Sequence, residues 1–204
     1  MSGDHYFSSQ PGSELRPKSI RVVLAGREVE LGTAGGVFSP DRLDTGTQVL
    51  LDTVPAPPPG GHLIDVGCGW GPIALSLALE SPRATVWAVD VNERSLELTR
   101  ANAARLGLDN VNAVLPSDVP ADLEFAAIWS NPPIRVGKAE LHALLDAWLP
   151  RLAPGSDAWL VVQKNLGADS LHRWLDATYP DLATVRADTA KGYRVLRTRR
   201  RSAP

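Results

Sequence analysis

The sequence predicts an α/β fold: a mostly parallel sheet with helices packed on both faces. Three observations predict it. From His62 onward, short apolar runs alternate with helical patterns, which is the order that parallel strands and their crossovers require. The first of these runs, Leu63-Ile64-Asp65-Val66, ends in a glycine-rich loop that opens a helix, as at the ligand edge of such sheets. The chain then closes on two runs close in sequence, 183–187 and 193–198, which read as an antiparallel pair.

The elements follow in order. Residues 1–17 are polar and read as a surface-draped lead. Residues 18–31 alternate apolar and polar around Ala25-Gly26, the pattern of a hairpin. A Gly-, Ser- and Asp-containing loop leads to a helix starting near Thr45 and running through Leu51. The proline-rich stretch 55–61 breaks that helix and links it to the alternating region. Strands are expected at 63–66, 84–89, 111–115, 125–130 and 158–163. Helices are expected from Gly71-Pro72 to Leu79, from an Asn92 cap to a Gly107 stop, along the face Leu141, Leu144, Leu145, Trp148 and Leu149, and around Leu171, Trp174 and Leu175. Trp87, Trp129, Trp148, Trp159 and Trp174 fall on these patterns as core residues.

Composition bounds the function. The 204 residues, 44% hydrophobic and 22% charged, suit one domain of ordinary size. Its expected parts are a hairpin, helix and linker extension at 1–59, a core at 60–199 and a basic tail at 200–204. The net charge of −2 gives no global argument for nucleic acid, although a local basic face would suffice. Cys68 is the single cysteine, so no intramolecular disulfide forms. The four histidines show no metal-ligand spacing, and no metal is expected. The polar lead and the absence of a ~20-residue apolar run lead to the expectation of a cytoplasmic protein with no membrane span.

The chemistry-bearing motifs sit at expected strand ends. Asp65-Val66-Gly67-Cys68-Gly69-Trp70-Gly71 follows the first strand, and its glycines allow positive φ and close approach of backbone N–H groups to a ligand. A dinucleotide fingerprint would need a third glycine at position 72, where proline stands, and no phosphate-binding G-x-x-x-x-G-K-[ST] occurs. Asp90, after the second strand, is placed to accept from a ribose diol. Ser117-Asp118 follows the third strand. Asn131-Pro132-Pro133-Ile134 follows the fourth: the prolines stop the strand and fix its direction, so the Asn131 side-chain carbonyl and the Pro132 carbonyl form a rigid pair of acceptors for an –NH2 group. Cys68, at a helix start, reads as a small loop residue.

These pieces resemble motif I and the Asn-Pro-Pro motif of class I S-adenosylmethionine (AdoMet) methyltransferases. With His5-Tyr6-Phe7-Ser8, Gly36-Val37-Phe38-Ser39, the segment from Leu43 to Thr47 and the closing Lys191-Gly192-Tyr193-Arg194-Val195-Leu196-Arg197, the chain is similar to the small-domain ribosomal RNA guanine-N2 methyltransferases. It is most similar to a short branch carrying Asn-Pro-Pro-Ile-Arg, and lacks the degenerate half that longer members carry in front. The resemblance implies a Rossmann-like seven-stranded sheet with an antiparallel last strand. It also implies AdoMet as cofactor and ribosomal RNA or a ribosomal subunit as partner. Cofactor contacts would come from Phe38, Asp44, Thr47, Asp65, Gly67, Cys68, Gly69, Gly71, Asp90, Val91, Ser117, Asp118 and Asn131, with Phe38 to Thr47 folding over the pocket. Asn131, Pro132, Pro133 and Ile134 would form the catalytic motif. Ile134 replaces the usual aromatic residue, so Trp70 and Phe38 are the expected substitutes for base stacking. Arg135, Lys138, Arg194 and Arg197 are expected RNA contacts. The same grip would also serve adenine N6 or a glutamine amide, and a cofactor-binding module without catalysis is the alternative of another class.

Overall fold

The computed structural model describes residues 17–133 and 137–202. The lead at 1–16 and the positions of Ile134 and Arg135 lie outside the described residues. Two strands, β1 (Pro17–Leu24) and β2 (Arg27–Ala34), form an antiparallel hairpin closed at Ala25-Gly26. Helix α1 (Thr45–Thr53) follows, capped by the Asp44 carboxylate on the N–H groups of Gly46 and Thr47. Then come β3 (His62–Val66), α2 (Pro72–Glu80), β4 (Thr85–Val89), α3 (Glu93–Leu106), β5 (Val111–Val114) and β6 (Phe125–Ser130). The chain ends with α4 (Lys138–Trp148), β7 (Leu152–Gln163), α5 (Ala168–Thr178), β8 (Leu182–Ala190) and β9 (Tyr193–Arg200).

The seven-stranded sheet has the order β5-β4-β3-β6-β7-β9-β8. Only β9 runs against its neighbours, slotted between β7 and β8. The fold is therefore the expected Rossmann-like α/β sheet with an antiparallel last strand and an added hairpin. Strand residues alternate between two cores, which explains the nearly unbroken apolar runs of the sequence. Ile64, Val66, Phe125, Ile128, Leu160 and Val162 face α4 and α5. Leu63, Ala127, Trp129, Trp159 and Val161 face the side of α1 and α2. Among the described residues, no helix is long and apolar enough to cross a membrane.

Three boundaries differ from the sequence reading. Pro154-Gly155 lies inside β7: the pairing with β6 shifts between Phe125 and Ala127, which absorbs the irregular residues in a bulge. Strand β8 likewise continues past a register shift at Arg186/Asp188. Strand β9 extends to Arg200, so the basic end begins as paired strand: Arg197 and Arg199 both bind Asp157, and Arg200 binds Glu124.

The hairpin covers α2 and α3 through a third apolar cluster of Val22, Leu24, Leu31, Val37, Trp70 and Leu75. Its tether is Asn102, a polar residue on the buried stripe of α3. The Asn102 amide accepts from the Gly32 N–H at 2.7 Å and donates to the carbonyls of Gly32 and Trp70, both at 2.9 Å. Asn102→Ala leaves three backbone groups without that partner and should cost about 2–3 kcal/mol, given about 1 kcal/mol or more for each buried orphan. Denaturant unfolding measures this loss, and faster amide exchange confined to residues 17–34 should accompany it. Unchanged stability would show the tether to be superfluous.

Candidate active site

The sheet order places the motifs side by side. Strands β5, β4, β3 and β6 are consecutive neighbours and parallel, so all four carboxyl ends lie on one edge. Along it stand, in spatial order, Ser117-Asp118, Asp90, the glycine loop and Asn131. At about 4.8 Å per strand the row spans about 14 Å.

The glycine loop is built for its backbone. Gly67, Gly69 and Gly71 have φ of 81°, 56° and 98°, in the left-handed region. A Cβ at Gly71 would also come within 3.0 Å of the Thr99 side chain. Its N–H groups are turned inward, against the sequence expectation. Gly67 and Cys68 donate to the Val89 carbonyl, Gly71 donates to the Cys68 carbonyl, and Gly69 donates to Asp90 Oδ2 at 2.9 Å. Ligand-facing donors are thus scarce in this loop. What it offers is close backbone approach, carbonyl oxygens and neighbouring carboxylates.

Those carboxylates differ. Asp65 is fully buried on β3; its Oδ2 accepts from the Ala74 N–H at the start of α2, while Oδ1 has no hydrogen-bond partner among the described residues. Burial pushes its pKa up to about 8; the Ala74 bond opposes this and the nearby Asp90 charge adds to it. Asp90 is half-buried and also raised by burial, which the N–H groups of Asn92, Gly69 and Val91 offset. Each Asp90 oxygen accepts one of the backbone bonds from Asn92 and Gly69, and lone pairs are left for further donors. Burial, followed by the charges of Asp90 and Asp65, pushes the Cys68 thiol well above its ordinary pKa, so it is a neutral packing residue and no activated thiolate.

Asn131 emerges from β6 beside this loop. Ser130 Oγ donates to the Val66 carbonyl at 2.6 Å and ties the ends of β6 and β3 together. Pro133 Cδ lies 4.0 Å from where a Cβ on Gly67 would be. The Asn131 amide nitrogen donates to Asp44 Oδ2 at 2.9 Å and to Thr47 Oγ1 at 3.0 Å. Asp44 Oδ2 already accepts the N–H groups of Gly46 and Thr47, so it faces Asn131 as an acceptor. The amide must therefore present its NH2 to α1 and its carbonyl oxygen the other way.

A cleft open to solvent lies between these parts. Phe38, Asp44, Thr47, Gly67, Cys68, Gly69 and Asn131 line it, all expected from the sequence. Ser39, within the segment expected to fold over the pocket, and Trp70, expected as a stacking face, line it as well, together with Pro72 and Ile73, which were not singled out as contacts. Asp90 reaches the cleft's loop through Gly69, whereas Val91, Ser117 and Asp118 are exposed and stand outside the cleft. Trp70 is 2% exposed and packs under the hairpin, its indole N–H donating to the Ser39 carbonyl, so it presents no stacking face. Phe38 is 49% exposed at the cleft.

The lid segment before α1 has anchors that the sequence reading missed. Asn92 Nδ2 donates to the Gly36 carbonyl and Arg94 to the Gly35 carbonyl, while Thr99 Oγ1 donates to the Gly69 carbonyl. All three come from α3 or its cap, and Asn92 and Thr99 are buried polar residues there. The expected basic contacts fare differently. Lys138 is exposed at the start of α4. Arg194 is buried and ion-paired with Asp169, and Arg197 is bound by Asp157 and lies over the Trp159 ring. Both are held as structural cations. No group of three His, Cys, Asp or Glu arranged to hold a metal ion occurs among the described residues.

The family model of the methyltransferase small domain matches residues 28–197. An uncharacterised protein of Bacillus subtilis, YbxB, is 34% identical over 200 residues, covering 97% of this chain and 98% of that one. The ribosomal RNA small subunit methyltransferase C of Pseudomonas aeruginosa is 36% identical over 162 residues, which are 78% of this chain and 48% of that enzyme. The chain therefore spans about half the length of that relative. Among solved structures, the T. thermophilus 16S rRNA N2 guanine methyltransferase, in complex with AdoMet and guanosine, superposes with a TM-score of 0.77. That likeness covers 93% of this chain and 52% of the other at 23% identity, and shows the fold. With the family model covering most of the chain and a glycine loop beside an Asn-Pro-Pro turn at the sheet's carboxyl edge, this protein belongs to the methyltransferase small domain family.

Proposed function

We propose that the protein is an AdoMet-dependent N-methyltransferase that acts on the exocyclic N2 amine of a guanine in ribosomal RNA. The observation that carries this reading is the orientation of Asn131. With its NH2 engaged by Asp44 and Thr47, the side chain keeps its carbonyl oxygen for a substrate in the cleft that Asn131 lines. A target held by that acceptor and the Pro132 carbonyl must itself be a donor with two hydrogens, which an exocyclic amine is. The rRNA methyltransferase relatives support the choice of RNA.

The residues fit AdoMet. A phosphate ligand would need the loop's N–H groups, and those of Gly67, Cys68, Gly69 and Gly71 are spent within the fold. A cationic group instead favours carbonyls and carboxylates, which this loop and Asp90 provide. Asp90 would hold the ribose diol, Gly67 to Gly71 and Asp65 would surround the amino-acid end, and Phe38 to Thr47 would close over it. When bound, AdoMet supplies a methyl group carried on a sulfonium.

The chain's own residues do the rest. The amine of a base is a poor nucleophile because its lone pair is delocalised into the ring. Accepting both its hydrogens favours a tetrahedral nitrogen and stabilises the positive charge that develops there, by dipoles already in place. The backbone carbonyl of Pro132 cannot drift, because two prolines fix the turn. No strong general base is needed, as the product ammonium loses its proton to water. The base must be extruded or already single-stranded to enter, and Phe38 offers an aromatic face for it. Lys138, exposed at the start of α4 and five residues after Pro133 in the chain, is a cation that could take phosphate.

The test is incubation of the purified protein with labelled AdoMet and total RNA from a strain lacking the gene, followed by nucleoside analysis. N2-methylguanosine is the expected product. Label in N6-methyladenosine, in protein, or in neither would overturn the reading.

A further inference from the structure

Asp44 and Thr47 are expected from the sequence in the cofactor pocket, as part of a segment that closes over it. Their hydrogen bonds assign them another task. Asp44 Oδ2 and Thr47 Oγ1 take both hydrogens of the Asn131 amide, across 87 and 84 residues of sequence. No other acceptor for that NH2 occurs among the described residues. An asparagine amide has two nearly isosteric orientations, and only one presents the carbonyl to the cleft. In the other, the carbonyl would face the Asp44 carboxylate oxygen and the NH2 would meet the substrate amine, donor against donor.

We infer that Asp44 and Thr47 are positioning residues for the catalytic asparagine: they lock the Asn131 amide with its carbonyl outward and thereby restrict the enzyme to substrates that donate, namely primary amines and amides. The inference rests on the assignment of Asn131 as the acceptor of the substrate amine. Both residues belong to the first turn of α1, where Asp44 also serves as cap. The backbone that caps the helix therefore fixes the distance to Asn131 at the same time. Gly46 lets this turn sit close, since a Cβ there would come within 2.7 Å of the Tyr193 ring. Strand β9 thus buttresses the turn from behind, and the lock is held between β6 and β9.

The variants separate positioning from folding. Asp44→Ser keeps a good helix cap but is too short to reach Asn131. Thr47→Val keeps shape and removes the hydroxyl. Each should lower kcat about tenfold or more, in line with the sensitivity of catalysis to small misplacements. Thr47→Ser and Asp44→Asn, which retain an acceptor at the same place, should recover most of the rate. In an Asn131→Ala background the same changes should cost less than about twofold, because residues acting through one group are not additive.

A second readout needs no substrate. The Asn131 side-chain amide resonances, identified by their loss in Asn131→Ala, should show hydrogens that exchange slowly with water, and Asp44→Ser or Thr47→Val should speed that exchange. If these shifts occur while the wild-type protein methylates no RNA, the lock stands and the RNA reading falls. If RNA is methylated but the amide exchange does not respond to either variant, the positioning role is overturned. It is likewise overturned if either variant costs as much in the Asn131→Ala background as in the wild type.

Discussion

Asn131→Ala should reduce kcat on the RNA substrate on the order of 10²–10³, the effect of deleting one preorganised dipole aimed at developing charge. The affinity for AdoMet should stay within a few fold, because Asp90, the glycine loop and Phe38 are untouched. The size follows from what the side chain does in this structure. Its amide is held by two acceptors, so presenting the carbonyl costs little reorganisation when the amine turns pyramidal. Removing it leaves only the Pro132 carbonyl to accept; Asp44 Oδ2 keeps its bonds from Gly46 and Thr47, and water can replace the lost amide through the cleft. Asn131→Asp is a sharper comparison. A carboxylate there would face the Asp44 carboxylate across a 2.9 Å contact, so either one acid takes up a proton or the pair separates. The rate should then be lower than in wild type and should change with pH where wild type does not. Single-turnover methyl transfer with AdoMet in excess measures both variants. A rate for Asn131→Ala within about threefold of wild type would mean that another acceptor holds the amine.

Much of this site could be read in the sequence, because strand ends announce themselves. Apolar runs broken by Gly67, Asp90, Pro116 and Pro132 mark four carboxyl ends, and the rule that parallel strands share an edge brings them together. The cleft brings together Phe38, Asp44, Thr47, Gly67, Cys68, Gly69 and Asn131, whereas Asp65, Gly71, Asp90, Val91, Ser117 and Asp118 of the same expected set lie outside its lining. What the pattern could not give was pairing. Periodicity reports which face of an element is buried, without naming the partner across the fold. Asn102 and Thr99 were legible only as polar residues on the apolar stripe of α3, and the bonds they make span 70 and 30 residues. Arg194 illustrates the opposite failure. On a run of arginines near the end of the chain it read as a surface cation, yet strand alternation turns it inward to Asp169. The direction of the glycine loop's N–H groups was equally hidden, since φ values in the left-handed region are set by glycine but the acceptors come from Val89 and Asp90.

Asp65 leads to the second large effect, a pH dependence of stability that one substitution should remove. The folded protein holds this carboxyl at a pKa of about 8, against 3.8 for the free group, chiefly because burial penalises the charged form. Between roughly pH 4 and 8 the folded state therefore binds a proton that the unfolded state has released. Stability falls with rising pH wherever the native state binds more protons, so the protein should be most stable toward the acid end of this window and lose stability as pH rises through 8. The loss is on the order of several kcal/mol before any relaxation of the site. Asp90, raised in the same direction, adds to the slope. Asp65→Asn keeps the shape and an oxygen to accept from the Ala74 N–H, but does not titrate. It should unfold at a similar denaturant concentration to wild type near pH 5 and at a clearly higher one near pH 9, leaving only the shallower slope from Asp90. Denaturant titrations at pH 5, 7 and 9 decide the matter, and parallel profiles for the two proteins would show that Asp65 is ionised in the fold. AdoMet should act against the same slope. Under the proposed function a cationic group lies beside Asp65 and favours its charged form, so saturating cofactor should stabilise wild type more at pH 9 than at pH 6. In Asp65→Asn that difference should shrink to what Asp90 alone supplies.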